Sequence, residues 1–147
     1  MNAIKKIIEK ASTLNGTIVL PEGMDARVIT AACSCVDRKI CTPIVLGTPQ
    51  EIADAEAKAG LSLAERGIRT IDYTQGDAEL EAAYLEAWNA KESRKPAEKQ
   101  KIIDLAGAQK TLRTKRIYFG GMMVKLGRVD GLVAGSIAST GDMLRAA

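Results

Sequence analysis

The chain has 147 residues, about the length of one domain, and its 46% hydrophobic and 27% charged content is ordinary for a globular protein. The net charge of +3 permits anionic small-molecule substrates without demanding nucleic acid, and 3% aromatic content leaves few stacking platforms for a single strand. The absence of histidine excludes His-based triads, His general bases and His metal ligands within this chain.

The N-terminal segment is the first predicted element. Apolar residues recur at helical spacing through residues 2–14, which predicts an amphipathic helix ended by Asn15 and Gly16. Charges interrupt this pattern, so it lacks the features of an export signal, and no apolar run approaches the roughly 18 residues of a membrane span. We therefore expect a cytoplasmic protein without a membrane partner, whose three cysteines are reduced.

Short apolar strands and helices alternate along the rest of the chain. The predicted strands cover residues 17–20, 43–47, 69–72 and 131–134. The predicted helices cover residues 24–38, 48–59, 77–92, 97–106 and 111–127, and we expect the polar residues 91–101 to be the most mobile segment. This alternation predicts one α/β domain over residues 1–147, a three-layer α/β/α arrangement with a mostly parallel sheet.

Three of the predicted strands end in loops that suit ligand binding. These loops are residues 21–27, 47–49 and 135–140. In parallel α/β sheets, ligands bind beyond the carboxyl ends of the strands, so we expect the loops to share one edge. Within the first loop, Asp25 and Arg27 fit either a site lining or a surface ion pair.

The stretch over residues 131–145 is the most informative part of the chain. A short apolar strand leads into a loop of small residues, then into Ser139 and Thr140, which open a helix that carries Arg145. Helix N-termini present unpaired N–H groups, and hydroxyl and guanidinium donors suit phosphate, so this order predicts an anion site. Ser and Thr before a helix are also ordinary caps, and a helical Arg is often only solvated, so the residues alone leave both interpretations open.

Two other clusters favour structural interpretations. Cys33, Cys35 and Cys41 lack a usual fourth ligand for zinc, and two of them fall on a predicted helix of small residues. We interpret them as small packing residues and predict no metal site. The basic run over residues 110–116 fits a solvated helix face better than a contact to nucleic acid or to the phosphates of a small ligand.

Several segments together resemble the phosphate acetyl/butyryl transferase family. Residues 18–27 are similar to its opening strand and loop, residues 43–49 to its second strand, and residues 118–135 to its central helix and strand. Residues 139–145, Ser-Thr-Gly-Asp-Met-Leu-Arg, resemble its Ser-Thr-Ala-Asp-Thr-Leu-Arg motif. The family's members are about two domains long. The chain therefore resembles the N-terminal part of a longer two-domain acyltransferase.

The chain departs from the family pattern at four positions. Ala138 stands where the family has His or Asn, and Gly141, Met143 and Ala146 replace Ala, Thr and Pro. Ser139, Thr140, Asp142 and Arg145 are kept. The departures concern loop geometry and substrate tuning.

The resemblance implies a transferase that moves an acyl group reversibly between acyl-CoA and phosphate, most simply a phosphate acetyltransferase. Coenzyme A is then a substrate rather than a tightly bound cofactor. The motif implies that Ser139, Thr140 and Arg145 bind substrate. A second family arginine aligns with Lys91 or Arg94, which the resemblance predicts as a coenzyme A contact. The family's general base has no counterpart here and is expected beyond residue 147, so we expect this chain alone to be inactive.

Two alternative functions stay open at this stage. The enzyme could be a phosphate butyryltransferase, because the acyl pocket is not readable from these residues. The chain could be a non-catalytic fragment that binds coenzyme A or phosphate. The expected partners are acetyl-CoA or CoA with phosphate or acetyl phosphate, and either a second copy in a homodimer or a complementary C-terminal half.

Overall fold

A computed structural model describes residues 2–147 as a four-stranded sheet with helices on both faces. The strands are β1 (Thr17–Leu20), β2 (Thr42–Leu46), β3 (Arg69–Ile71) and β4 (Gly131–Leu132). The helices are α1 (Ala3–Leu14), α2 (Ala26–Asp37), α3 (Pro49–Ala59), α4 (Ala78–Glu92), α5 (Leu105–Thr114), α6 (Arg116–Lys125) and α7 (Thr140–Ala146). Among these described helices, none is both long and apolar enough to cross a membrane.

The sheet is parallel throughout, in the order β3-β2-β1-β4. Val19 at the centre of β1 aligns with Ile44 of β2 on one side and with Leu132 of β4 on the other. The predicted α/β class and parallel sheet are confirmed. All four strands therefore end at one edge, which carries the loops singled out from the sequence.

Two apolar clusters pack on opposite faces of the sheet. Because side chains alternate along a strand, Ile44 and Leu46 enter one cluster and Val45 enters the other. The first cluster packs α4, α5 and α6 on the sheet, and the second packs α2 and α3. Cys33 is buried in the second cluster, and all three cysteines are free thiols, as small packing residues would be.

Local sequence signals set several boundaries as predicted. Asn15 ends α1 in a left-handed conformation, with φ of 45°. Thr48 caps α3 ahead of Pro49, and Glu51 completes a capping box by accepting from the Thr48 N–H. These boundaries matter here because Thr48 and Glu51 lie at the edge where the strands end.

The two predicted helices between residues 97 and 127 are wrong in their boundaries. Residues 100–104 lie outside any helix, because the Asn89 side chain bonds both the N–H and the carbonyl of Ile103. Asp104 then caps α5 by accepting from the Gly107 N–H at 2.8 Å. The predicted helix over 111–127 is broken at Lys115, whose φ of −117° and ψ of 88° are not helical.

Residues 91–101 were expected to be mobile, but several contacts hold them. Glu92 is buried and accepts from Lys95 Nζ at 2.6 Å and from the Lys101 N–H at 2.9 Å. Trp88 Nε1 donates to the Lys101 carbonyl at 2.7 Å. The last turns of α4 therefore fix the segment that follows them.

Candidate functional site

The three predicted substrate residues lie together on the first turns of α7. Ser139 caps this helix: its Oγ accepts from the Asp142 N–H at 3.2 Å and donates to Asp142 Oδ2 at 2.8 Å. Arg145 Nη1 donates to Asp142 Oδ1 at 3.2 Å, and its side chain is 72% exposed. Thr140 is also exposed. An exposed ion pair of this kind contributes little stability, so the Arg145 guanidinium is available to an anion.

Arg145 lies between two surface depressions. The first, which we name the α6–α7 cleft, has a volume of about 320 Å³ and lies between the start of α6, Met24 and the residues around α7. The second, which we name the C-terminal groove, has a volume of about 620 Å³ and lies between α4, α6 and α7. Lys91 lines the C-terminal groove with Arg145, whereas Arg94 is exposed and outside both linings.

The break between α5 and α6 places Lys115 and Arg116 in the lining of the α6–α7 cleft. Arg116 Nη2 donates to Glu51 Oε1 at 2.8 Å and to the Tyr73 hydroxyl at 2.9 Å, and its guanidinium stacks 4.9 Å from the centre of the Tyr73 ring. Lys115 Nζ lies 5.3 Å from the centre of the Tyr118 ring. Arg116 is thus engaged by α3 and the β3 loop, while Lys115 adds a positive charge to the cleft.

The prediction that the basic run is a solvated helix face is wrong for two of its arginines. Arg113 pairs with buried Glu81 on α4, and only 18% of the Arg116 side chain is exposed. Burial raises the pKa of Glu51, but hydrogen bonds from Arg116 and the Thr48 N–H outweigh it and lower that pKa overall. The run therefore joins three elements around the cleft.

Glu22 is the residue that the sequence reasoning missed. It follows β1, is 2% exposed, and accepts four backbone hydrogen bonds from the loop that follows β4. Oε1 accepts from Gly135 and Ser136 at 2.6 and 3.0 Å, and Oε2 accepts from Ile137 and Ala138 at 2.7 and 2.8 Å. We name these four N–H groups the nest. A carboxylate directly after a buried strand, at the edge of a small-residue loop, was the available signal.

The nest changes the interpretation of the anion site. Burial raises the pKa of Glu22, but the four backbone N–H groups outweigh it and lower that pKa overall, so the carboxylate is ionised at neutral pH. The N–H groups of the loop are therefore occupied by an anion of the chain itself. Ser139, Thr140 and Arg145 at the start of α7 take no part in the nest, and the anion site predicted there stays a prediction.

Asp25 and Arg27 form an ion pair that also holds this loop. Arg27 Nη2 donates to Asp25 Oδ2 at 2.7 Å and to the Ser136 carbonyl at 3.0 Å. Asp25 caps α2, and the hydrogen bond from Arg27 is the main reason that its pKa is lowered to about 2. The pair lies at the edge of the candidate site, where it reinforces the contact made by Glu22.

The arrangement can hold an anion, and before a ligand binds, Glu22, Asp142 and Glu51 are each hydrogen-bonded to other residues. Within the α6–α7 cleft, Glu22 is saturated by the nest and Asp142 is bound by Ser139 and Arg145. Glu51, beside the cleft, is bound by Arg116. Residues 2–147 also contain no cluster of three His, Cys, Asp or Glu residues that could hold a metal ion.

Comparisons with known proteins point to one family. The family model described as phosphate acetyl/butaryl transferase matches residues 2–147. The phosphate acetyltransferase of Thermoanaerobacterium thermosaccharolyticum is 39% identical over 147 residues, which cover all of this chain and 41% of that protein. The phosphate acetyltransferase of Staphylococcus aureus strain MRSA252 is 36% identical, with 100% of this chain and 40% of that protein covered.

Solved structures agree with this similarity. The crystal structure of a phosphotransacetylase from Streptococcus pyogenes matches 99% of this chain and 42% of its own, with a TM-score of 0.81 and 30% identity. The EutD phosphotransacetylase from Staphylococcus aureus matches the same shares with a TM-score of 0.72 and 35% identity. The chain spans about two fifths of the length of these relatives.

Proposed function

Because this chain belongs to the phosphate acetyl/butaryl transferase family, we propose that it forms the N-terminal, substrate-binding domain of a two-domain phosphate acyltransferase. The proposed reaction is reversible: the coenzyme A thiolate attacks the carbonyl carbon of an acyl phosphate, and the bond from that carbon to the phosphate oxygen breaks. The products are acyl-CoA and inorganic phosphate. Acetyl is proposed as the acyl group because the relatives described above are named phosphate acetyltransferases.

The observation that carries this proposal is the exposed turn of α7. Ser139 caps α7, Thr140 begins it, and Arg145 lines the α6–α7 cleft together with Lys115. Two cations and two hydroxyls suit the charge of a phosphoryl group and of the carbonyl oxygen in the transition state. We propose that the Arg145 guanidinium binds the phosphate group and that the Ser139 and Thr140 hydroxyls donate hydrogen bonds to the acyl phosphate.

Coenzyme A is proposed to reach this turn along the C-terminal groove. The groove has a volume of about 620 Å³ and is lined by Lys91 and Arg145, which suit the phosphates of coenzyme A. Trp88 and Tyr118 in the same lining offer aromatic surface. Lys91 is therefore our candidate for a coenzyme A contact, and coenzyme A is a substrate in this scheme rather than a bound cofactor.

A second candidate function is binding without catalysis. The carboxylates in and beside the cleft, Glu22, Asp142 and Glu51, all have partners, which favours a domain that binds its substrates and takes a general base from elsewhere. We propose that a complementary C-terminal half supplies that base. The exposed apolar side chains of Val133, Ile137 and Leu144 beside the turn support such a partner. The free thiols suit a cytoplasmic location.

The deciding experiment measures thioester formation from acetyl phosphate and coenzyme A by the purified chain, with butyryl phosphate in parallel. Turnover would show that the chain assembles a full site, and the preferred acyl phosphate would separate acetyltransferase from butyryltransferase. Binding of coenzyme A or phosphate by calorimetry without turnover would support the binding domain. If the folded chain neither binds nor reacts, both candidate functions are wrong.

A further inference from the structure

Glu22 joins the ends of two neighbouring parallel strands. It lies two residues beyond β1, and the four N–H groups that it binds lie three to six residues beyond β4. The carboxylate is 2% exposed, and each of its oxygens accepts two backbone hydrogen bonds between 2.6 and 3.0 Å long. Four consecutive N–H groups that converge on one point form an anion-binding concavity.

The chemistry of this contact requires an ionised Glu. A carboxylate offers only acceptors, about four lone-pair sites over two oxygens, and the nest presents four donors. Gln at this position would turn its NH₂ group towards two of those donors, so two hydrogen bonds would be lost. Hydrogen bonds to a charged group are also stronger than neutral ones, which makes this contact a stringent constraint on the loop.

The loop held by Glu22 leads directly into the start of α7. Ala138, the last residue of the nest, is followed by Ser139, which caps α7 and begins the predicted substrate-binding turn. Arg27 holds the same loop through the Ser136 carbonyl at 3.0 Å. The backbone that leads into Ser139 is therefore fixed through four N–H groups and the Ser136 carbonyl, whereas Arg145, six residues after Ser139, is exposed.

We propose that Glu22 is a positioning residue of the acyltransferase site: its carboxylate fills the nest permanently, so that substrate phosphate binds beyond it, at Ser139, Thr140 and Arg145. This inference rests on the proposed function. Glu22 touches no substrate in this scheme. It sets the direction in which Ser139 and α7 leave the sheet, which is the preorganisation that a binding site built on a loop needs.

The test compares the unaltered chain with Glu22→Gln, Glu22→Ala and the control Glu81→Gln. Glu81 is equally buried, at 2%, but its carboxylate pairs with Arg113 away from the loop. Calorimetry gives the dissociation constant for coenzyme A and for inorganic phosphate, at a temperature where circular dichroism shows every variant folded. We expect Glu22→Gln to weaken binding about tenfold or more, and Glu81→Gln to change it less than about twofold.

Formate provides a rescue that a general loss of stability would not give. In Glu22→Ala, formate can place two oxygens in the vacated nest, whereas chloride cannot. We expect formate to return the amide resonances of residues 135–138 towards their positions in the unaltered chain and to restore coenzyme A affinity. Chloride at equal ionic strength should do neither, and equal effects of the two salts would overturn the proposal.

The unaltered chain gives a test that does not depend on any variant folding. Titration with coenzyme A or inorganic phosphate should shift the amide resonances of residues 139–145 and leave those of residues 135–138 in place. Shifts confined to residues 135–138 would mean that substrate displaces Glu22, which overturns the proposal. If the unaltered chain binds neither ligand, the proposed function fails and this role fails with it. Equal binding by the unaltered chain and Glu22→Gln would overturn the positioning role alone.

Discussion

The loop after β4 and the first turn of α7 are adjacent in the chain, but they are held in opposite ways. The loop gives four N–H groups to Glu22, which is 2% exposed, and its Ser136 carbonyl accepts from Arg27. The side chains of the turn, Ser139, Asp142 and Arg145, bond to one another at the surface, where Arg145 is 72% exposed.

This difference separates the loop after β4, which is held in place, from the start of α7, whose side chains are free to bind a ligand. Hydrogen bonds to a buried charge are costly to break, because each group left behind is unsatisfied and desolvated. Exposed ion pairs contribute little, so their members exchange readily for a ligand. The exposed side chains of α7 are thus adaptable groups, and the loop bound by Glu22 is the fixed base that carries them. A change in one of these two regions can be compared with a change in the other.

The largest effect on stability is expected in acid, because protonation neutralises Glu22 and Asp25, the two carboxylates that fix the loop. The pKa of Asp25 is lowered to about 2 and that of Glu22 is lowered below its ordinary value, so both stabilise the fold above their unfolded pKa values and lose this contribution as the pH falls. Thermal unfolding followed between pH 7 and about pH 2 should show this loss below the unfolded carboxyl pKa values of about 4. Glu22→Gln should show a weaker dependence over that window, and Arg145→Ala should keep the original one. Parallel curves for Glu22→Gln and the unaltered chain would contradict the role of the nest.

The next largest effect on stability is expected from a steric change beside Glu22. Gly23 follows Glu22, and its N–H donates to the Leu46 carbonyl at 3.0 Å. A Cβ added there would lie 2.4 Å from the Leu46 oxygen, and backbone cannot give way as a side chain can. We expect Gly23→Ala to lower the free energy of unfolding by about 3 kcal/mol, the upper end of typical overpacking, measured by urea denaturation. A loss below about 0.5 kcal/mol would show that the backbone contact between Gly23 and Leu46 is not rigid.

A smaller effect is expected on the adaptable side, and it concerns binding rather than stability. Arg145→Ala removes one exposed ion pair, so the free energy of unfolding should change by less than about 0.5 kcal/mol. If Arg145 binds the phosphate, affinity should fall by on the order of 1.5–3 kcal/mol, the scale of a charged hydrogen bond. Calorimetry with inorganic phosphate and coenzyme A measures this change. Unchanged affinity in the folded variant would show that Arg145 does not bind the phosphate.

Local signals account for the part of the fold that the sequence predicts. Apolar runs predict all four strands, and Thr48 with Pro49 predicts where α3 begins. The wrong boundaries fall where distant side chains override propensity. Asn89 bonds Ile103 across 14 positions and keeps residues 100–104 out of a helix, which no pattern within that segment reveals.

For the candidate site, the sequence gives the local part and misses the long-range part. Ser139, Thr140 and Arg145 form a local motif, and the structure places them at the cap, the first residue and the last turn of α7. Glu22 was not found, because its partners lie 113 to 116 positions away and are backbone groups that carry no side-chain signal. A carboxylate at the end of a buried strand is visible in sequence, but its target is visible only when β1 and β4 are known to be neighbours.

The smallest effect is expected from Gly141→Ala, the counterpart of Gly23→Ala on the adaptable side. Gly141 lies in the first turn of α7, and the nearest atom to an added Cβ is Arg145 Nη2 at 3.5 Å, an ordinary contact with the end of a flexible side chain. Ala is favoured over Gly in a helix by about 0.5–1 kcal/mol, so we expect a gain in the free energy of unfolding up to that size, with binding retained. Urea denaturation and calorimetry check the two parts. A loss of stability comparable to that of Gly23→Ala would mean that the turn is as tightly constrained as the loop, and the distinction between a fixed base and an adaptable turn would fail.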